Sequence, residues 1–290
     1  MTTLVAPAAR DWAALPSDIV LDVFLRLGPL EVMLGAELAC KPWRRVALEE
    51  PTLWRHVGFD KRDYSDERWR RSCHEFKENM WQVALDRAKG QCEAFKGSCH
   101  DDDLLHLVGS APSLKSLNID HYSDHGTGEY LVDALKVLTL LEELEIDFRY
   151  IIDWDEDMLQ SVCKACPHLK KLVLMYASAI DHECNQDEFD MEPVDGPIPV
   201  MQKLSTLELY GCDLSCEGLK AILDSCPMLE TLLIDGYFNK RKMDKELKLQ
   251  CARVKNLTLD TMKKPPYGDY GSYVFGYSSE EDYSKISLQE

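Results

Sequence analysis

The chain predicts an α/β architecture: a short all-helical module at the N-terminus, followed by a curved solenoid with parallel strands on its concave face and helices outside. Three observations carry this. An apolar strand signal recurs from Leu114 to Val254, each copy is followed by a helix-period stretch, and the segment before residue 60 shows helical patterning with no strand alternation.

The ruler for the repeat is residues 204–229, LSTLELYGCDLSCEGLKAILDSCPML. Leu204, Leu207 and Leu209 face the core, while Thr206, Glu208 and Tyr210 point away by two-residue alternation. Gly211 turns the chain. Leu219, Ile222 and Leu223 lie at helical spacing, and Pro227 stops that helix before Leu229 opens the next strand. The leading apolar position recurs at Leu114, Leu141, Leu169, Leu204, Leu229 and Val254, in steps of 27, 28, 35, 25 and 25 residues. A degenerate copy begins at Cys92. The strand cores read LKSLNI, LEELEI, LKKLVL, LSTLEL, LETLLI and VKNLTL, so about six to seven units occupy residues 91–262. Cys212 follows the LxL of its strand, Gly218-Leu219 opens the helix and Cys226-Pro227 closes it. That unit resembles the cysteine-containing leucine-rich repeat, a pattern common in F-box proteins.

N-terminal to the repeats, residues 1–10 carry no pattern and read as a flexible leader. Ser17 or Asp18 caps a helix reaching Leu27, where Gly28-Pro29 ends it. Further helices are predicted over about 30–39 and 42–48. Three such short helices cannot bury among themselves the apolar surface they carry, and the surplus predicts a partner. Leu15-Pro16, Ile19, Phe24, Leu27, Leu30, Cys40, Trp43-Arg44 and Leu53-Trp54 resemble the spaced pattern of the F-box over residues 11–58. Ala39 departs from it, standing where a larger aliphatic residue usually precedes the Cys.

The resemblance implies docking to the Skp-type adaptor of an SCF (Skp, cullin, F-box) ubiquitin ligase, and through it to a cullin. The residues it assigns to the adaptor are Leu15, Pro16, Ile19, Val20, Phe24, Leu30, Lys41, Trp43, Leu53 and Trp54. By the same resemblance the chain is similar to plant F-box/leucine-rich-repeat proteins that act as substrate receptors, with catalysis left to the partners.

Residues 59–90 read as a basic, helical link that caps the first repeat. The 35-residue step reflects an insertion over 178–200, rich in Pro, Gly, Asp and Glu, expected to be a projecting loop. Residues 263–290 lose the periodicity and read as a disordered, acidic, Tyr-rich tail.

Composition narrows the function further. No apolar run reaches the roughly 18 residues a membrane span needs, and the N-terminus lacks the features of a secretory signal. Eleven cysteines, an odd set partly at repeat-equivalent places, point to a reducing compartment, cytoplasmic or nuclear. Of the net −18, none comes from residues 1–90, where 14 of the 33 cations meet 14 of the 51 acids; the remaining 19 cations and 37 acids lie beyond. Such a surface disfavours nucleic acid and anionic lipid, and suits a neutral or basic protein.

No residue set points to catalysis, and no cofactor is implied. Cys163-x-x-Cys166 with His168 lacks the second ligand pair of a zinc site, and these thiols fall where small apolar residues pack. His121 and His125 lack the Glu of HExxH and are expected in a loop; Gly126-Thr127-Gly128 lacks a third glycine. Asp153, Asp155, Glu156 and Asp157 read as a solvated helix start. Two other classes stay open, a scaffold outside ubiquitination and an enzyme with an unrecognised concave site.

Target binding is expected on the concave face. Between buried leucines the strands should line up Ser116, Asn118 and Asp120 with Glu143, Glu145 and Asp147, then Lys171, Val173 and Met175. The row continues through Thr206, Glu208 and Tyr210 to Thr231, Leu233 and Asp235. Its acids outnumber Lys171, so a basic target is expected, with Tyr210, Met175 and Leu233 as the apolar centre.

Overall fold

A computed structural model describes residues 11–58, 80–123, 128–148, 158–176, 196–236 and 238–261. The expected leader, the interior of the insertion, most of the basic link and the tail lie outside the described residues, as do His125, Gly126, Thr127 and the acids at 153–157.

The first helices are α1 (Ser17–Phe24), α2 (Pro29–Leu34) and α3 (Lys41–Glu49), with 3-10 turns at Trp12–Ala14, Ala36–Leu38 and Pro51–Trp54. The continuous helix expected over 30–39 is broken at Gly35, and the second piece is a 3-10 turn that places Glu37 inward. Val20 and Phe24, four residues apart, share one face of α1 and are buried with Val32, Val46, Ala47 and Trp54. The Trp43 ring stands edge-on to Phe24 at 5.8 Å, and the Trp54 indole N–H donates to the Ala47 carbonyl at 3.0 Å. A buried indole without that acceptor would cost more than the bond itself contributes.

The solenoid is an open sheet of eight parallel strands in sequential order. They are β1 (His56–Gly58), β2 (Ala94–His100), β3 (Ser116–Ser123), β4 (Glu143–Asp147), β5 (Lys171–Met175), β6 (Thr206–Tyr210), β7 (Thr231–Gly236) and β8 (Asn256–Thr261). Helices α4 (Met80–Ala88), α5 (Asp101–Ser110), α6 (Glu129–Val137), α7 (Met158–Ala165), α8 (Cys216–Ser225) and α9 (Lys245–Cys251) precede β2, β3, β4, β5, β7 and β8 respectively. The solenoid therefore starts earlier than the repeat signal does. Its first strand follows Trp54 directly, in a stretch expected to belong to the N-terminal module, and pairs His56 with Ala94 and Val57 with Phe95.

Each repeat closes in the same way. The strand leucines are buried, for example Leu207 and Leu209 on β6 and Leu232 and Ile234 on β7, and the helix contributes residues such as Leu219, Ile222 and Leu223. Ser215 caps α8 by accepting from the backbone N–H of Glu217 and Gly218 at 3.1 and 3.0 Å. Gly211 sits at φ 67°, which suits glycine at the turn. Cys166, Cys212 and Cys226 are buried core fillers, and burial pushes each thiol up to about 12. Cys163 is buried on α7 beside them in sequence, so the Cys163–Cys166 pair packs within the repeat. His121 lies within β3, correcting the expectation of a loop; β3 runs on past the usual strand length after a register shift opposite Gly97 and Ser98.

Helical module and solenoid share one hydrophobic core that runs from Val20 to Leu259. Across the junction, Arg87 of α4 forms an ion pair with Glu37, with Nη1 donating to Oε2 at 2.6 Å and Nη2 to Oε1 at 3.3 Å. The guanidinium carbon lies 5.1 Å from the centre of a Trp54 ring.

Candidate protein-interaction surfaces

Two surfaces stand out, at opposite ends of the chain's logic. On α1, burying Val20 and Phe24 turns Ile19 and Val23 outward, and both are exposed along with Leu25 and Leu27. Trp12, Leu38 and Leu48 add to this exposed apolar set on the same module. Pro16 and Lys41 are also exposed, whereas Leu15, Leu30, Trp43 and Leu53 are half-buried. The Trp43 indole N–H donates to the Trp12 carbonyl at 3.0 Å, and these two tryptophans with Asp11, Ala13, Ala39 and Cys40 line an open, largely apolar cleft. A small module with this many large apolar groups in water carries the signature of an interaction face.

The second surface is the concave sheet. Register places Ser116 opposite Glu143, Glu143 opposite Lys171, Lys171 opposite Thr206, and Thr206 opposite Thr231. The middle row runs Asn118, Glu145, Val173, Glu208, Leu233, and the upper row Asp147, Met175, Tyr210, Asp235. Tyr210 is the centre of the charge pattern. Its hydroxyl donates to Glu208 Oε2 at 2.8 Å. Burial, then that bond and the charges of Glu208, Asp235 and Glu145, push its phenol up to about 12. Lys171 is engaged, its Nζ 3.8 Å from Glu145 Oε2, and Glu143 Oε2 accepts from the Ser116 hydroxyl at 3.1 Å.

The F-box-like family model matches residues 12–60. Over 253 residues the chain is 31% identical to Putative F-box/LRR-repeat protein 23 of Arabidopsis thaliana, covering 86% of this chain and 53% of that one. It is 29% identical to Putative F-box/LRR-repeat protein 22 (94% of this chain, 86% of the relative) and 30% identical to F-box protein SKIP19 (80% and 71%), both from Arabidopsis thaliana. This chain belongs to the F-box/leucine-rich-repeat family. It spans about half the length of the first of these relatives.

Within this F-box protein, the structure corrects several site assignments. Val20, Phe24 and Trp54, named for the adaptor from the motif, are about 1% exposed and form the module's own core. Their place in the motif reflects what holds α1 against α3, and the surface residues of the same helix are Ile19 and Val23. On the concave face Asp147 is 2% exposed and Val173 is 4% exposed, so neither is an outward contact despite its strand parity. Phe148 follows Asp147, its ring centre 6.3 Å from that of Tyr122 and 6.0 Å from that of Tyr176, so a buried aromatic row links the ends of β3, β4 and β5 within the core. Asp120 accepts from Ser98 Oγ at 3.0 Å and belongs to the β2–β3 edge, since the β3–β4 pairing ends at Ile119 and Ile146. The outward set is Asp120, Glu143, Glu145, Lys171, Met175, Glu208, Tyr210, Leu233 and Asp235, exposed or half-buried. Alternation gives the direction in which a side chain leaves the strand and cannot reveal whether that position is covered. Phe148 and Tyr176 each stand seven residues after the leading leucine of their repeat, Leu141 and Leu169, whereas Tyr122 stands eight after Leu114.

Among the described residues, no group of three His, Cys, Asp or Glu side chains is arranged to hold a metal ion, and no helix is long and apolar enough to cross a membrane.

Proposed function

We propose that this protein is the substrate-recognition subunit of an SCF-type ubiquitin ligase and performs no chemistry itself. The observation that supports it best is the junction. An F-box presenting Ile19, Val23 and Leu27 to solvent is fused through one core, and through the Glu37–Arg87 pair, to a sheet presenting an acidic and partly apolar face. A ligase receptor needs such rigidity, because holding the target at a fixed offset from the adaptor raises the effective concentration of its lysines near the conjugating enzyme.

The adaptor docks on Leu15, Pro16, Ile19, Leu30, Lys41, Trp43 and Leu53. A target with a basic segment docks around Tyr210, Met175 and Leu233, steered by Glu143, Glu145, Glu208 and Asp235.

Copurification with a Skp-type adaptor and cullin tests this reading. Ile19→Asp and the pair Leu15→Ala and Pro16→Ala should each abolish it while circular dichroism stays unchanged. Retained copurification by both folded variants would refute the adaptor face. On the target side, Glu143→Lys with Glu145→Lys should slow association, and Tyr210→Ala should chiefly speed dissociation. Unchanged capture by both would move recognition off the sheet.

A further inference from the structure

The last repeat reverses the sign of the molecule. Residues 239–255 hold seven of the 19 cations beyond residue 90 and two of the 37 acids there. Those two acids are both engaged. Asp244 caps α9, accepting from the Leu247 N–H at 2.7 Å, and Glu246 lies 3.7 Å from Lys220 of α8. The same side of α9 also binds α8 through Gln250, which donates to Asp224 Oδ1 at 2.7 Å.

With Leu247 and Cys251 buried against the sheet, the remaining face of α9 carries Lys245, Lys248 and Leu249. These stand at helical spacing. Leu249 is 75% exposed, and the 3-10 turn before the helix adds Lys240, Arg241 and Lys242, all exposed. Met228, 60% exposed, occupies in the preceding repeat the turn position that Arg253 holds here.

We propose that this outer face of the last repeat, Lys240, Arg241, Lys242, Lys245 and Lys248 around Leu249, docks an acidic protein segment that carries an aliphatic side chain. Charge complementarity selects the acid, and exposed Leu249 among the cations selects an apolar anchor within it. Nucleic acid is the poorer fit. The aromatic residue of this repeat among the described ones, Phe238, is buried and offers no base a stacking surface, and the acids of the neighbouring repeats repel a long polyanion. This surface differs in place and in sign from the concave face and does not depend on the receptor reading.

The test uses the full chain and a fluorescent peptide of Glu, Asp and Leu, with its Gln/Asn counterpart, a single-stranded DNA of equal length and phosphatidylserine vesicles as comparators. The acidic peptide should bind, the amide peptide should not, and added salt should weaken the complex. Reversing Lys240, Arg241 and Lys242 to Glu, or Lys245 and Lys248 to Glu, should weaken it roughly tenfold or more. Leu249→Ser should raise the dissociation rate. The proposal is overturned by equal affinity in both charge-reversal variants, or by DNA or vesicles binding as well as the peptide. It is also overturned if the peptide binds only after Glu280, Glu281 and Asp282 are neutralised, because the occupant is then the chain's own tail.

Discussion

Glu37 and Arg87 are 50 residues apart in sequence and form a two-bond ion pair in which the side chains are 7% and 13% exposed. It ties the F-box to the helix that opens the solenoid, and Trp54 lies against the guanidinium.

Removing one partner of this pair leaves a buried charge without compensation. Arg87→Ala should therefore destabilise the protein by about 3–5 kcal/mol. Replacing both partners, Glu37→Leu with Arg87→Met, should cost markedly less, because no orphan charge remains. Denaturant midpoints of the single and double variants measure the difference; equal losses would mean that packing, and not charge, governs the site.

Gly236 is required by close approach, since an added Cβ would lie 1.8 Å from the Cys212 carbonyl oxygen of the preceding repeat. The backbone there cannot yield without separating β6 from β7. Gly236→Ala should cost at least about 1–3 kcal/mol. Gly109 on α5 has nothing within 4 Å of the same position, and Gly109→Ala should stabilise by about 0.5–1 kcal/mol. Thermal melting of the two variants should shift in opposite directions.

The Tyr210 phenol, held up to about 12 by burial and by Glu208, should ionise well above the ordinary tyrosine range. Ultraviolet titration of the full chain against Tyr210→Phe isolates its signal. Glu208→Gln should bring that ionisation down, since it removes a neighbouring negative charge. An unchanged titration would show that the carboxylate does not face the ring in solution.

One residue before the strands, charges alternate along the sheet and pair between repeats: Lys115 with Glu93 at 3.1 Å, Lys170 with Glu142 at 2.7 Å, and Lys255 with Glu230 at 2.8 Å. Hydrogen bonds from Lys115 and Lys170 lower the carboxyl pKa of Glu93 and Glu142. A lowered folded-state value gives stability that is present above the unfolded glutamate value and is lost as pH falls through the folded one. These groups are solvent-exposed, so the effect on any one pair is small. Glu93→Gln with Glu142→Gln should flatten the dependence of the melting temperature on pH below about 4.3, where unfolded glutamate titrates. A profile as steep as that of the parent would assign acid sensitivity to other carboxylates.

Much of this molecule is written in short-range pattern. The LxxLxL strands, the helix stops at Cys-Pro and the F-box spacing each follow from periodicities that the backbone imposes locally, so the solenoid, its parallel registers and the helical module are legible residue by residue. The outward rows from Glu143 to Asp235 follow from the same alternation.

Tertiary structure decided what periodicity cannot encode. Strand β1 has three residues, too few for a pattern, and exists because β2 offers its edge. Asp147 and Val173 have outward parity yet are buried, and Tyr122, Phe148 and Tyr176 pack against one another across three repeats. Val20 and Phe24 fit the motif but face α3, and Glu37 turns inward because Arg87 arrives from a distant helix. In each case burial is set by neighbours distant in sequence. Alternation fixes the direction in which a side chain leaves the backbone, and only the packed fold determines whether water or another repeat lies there.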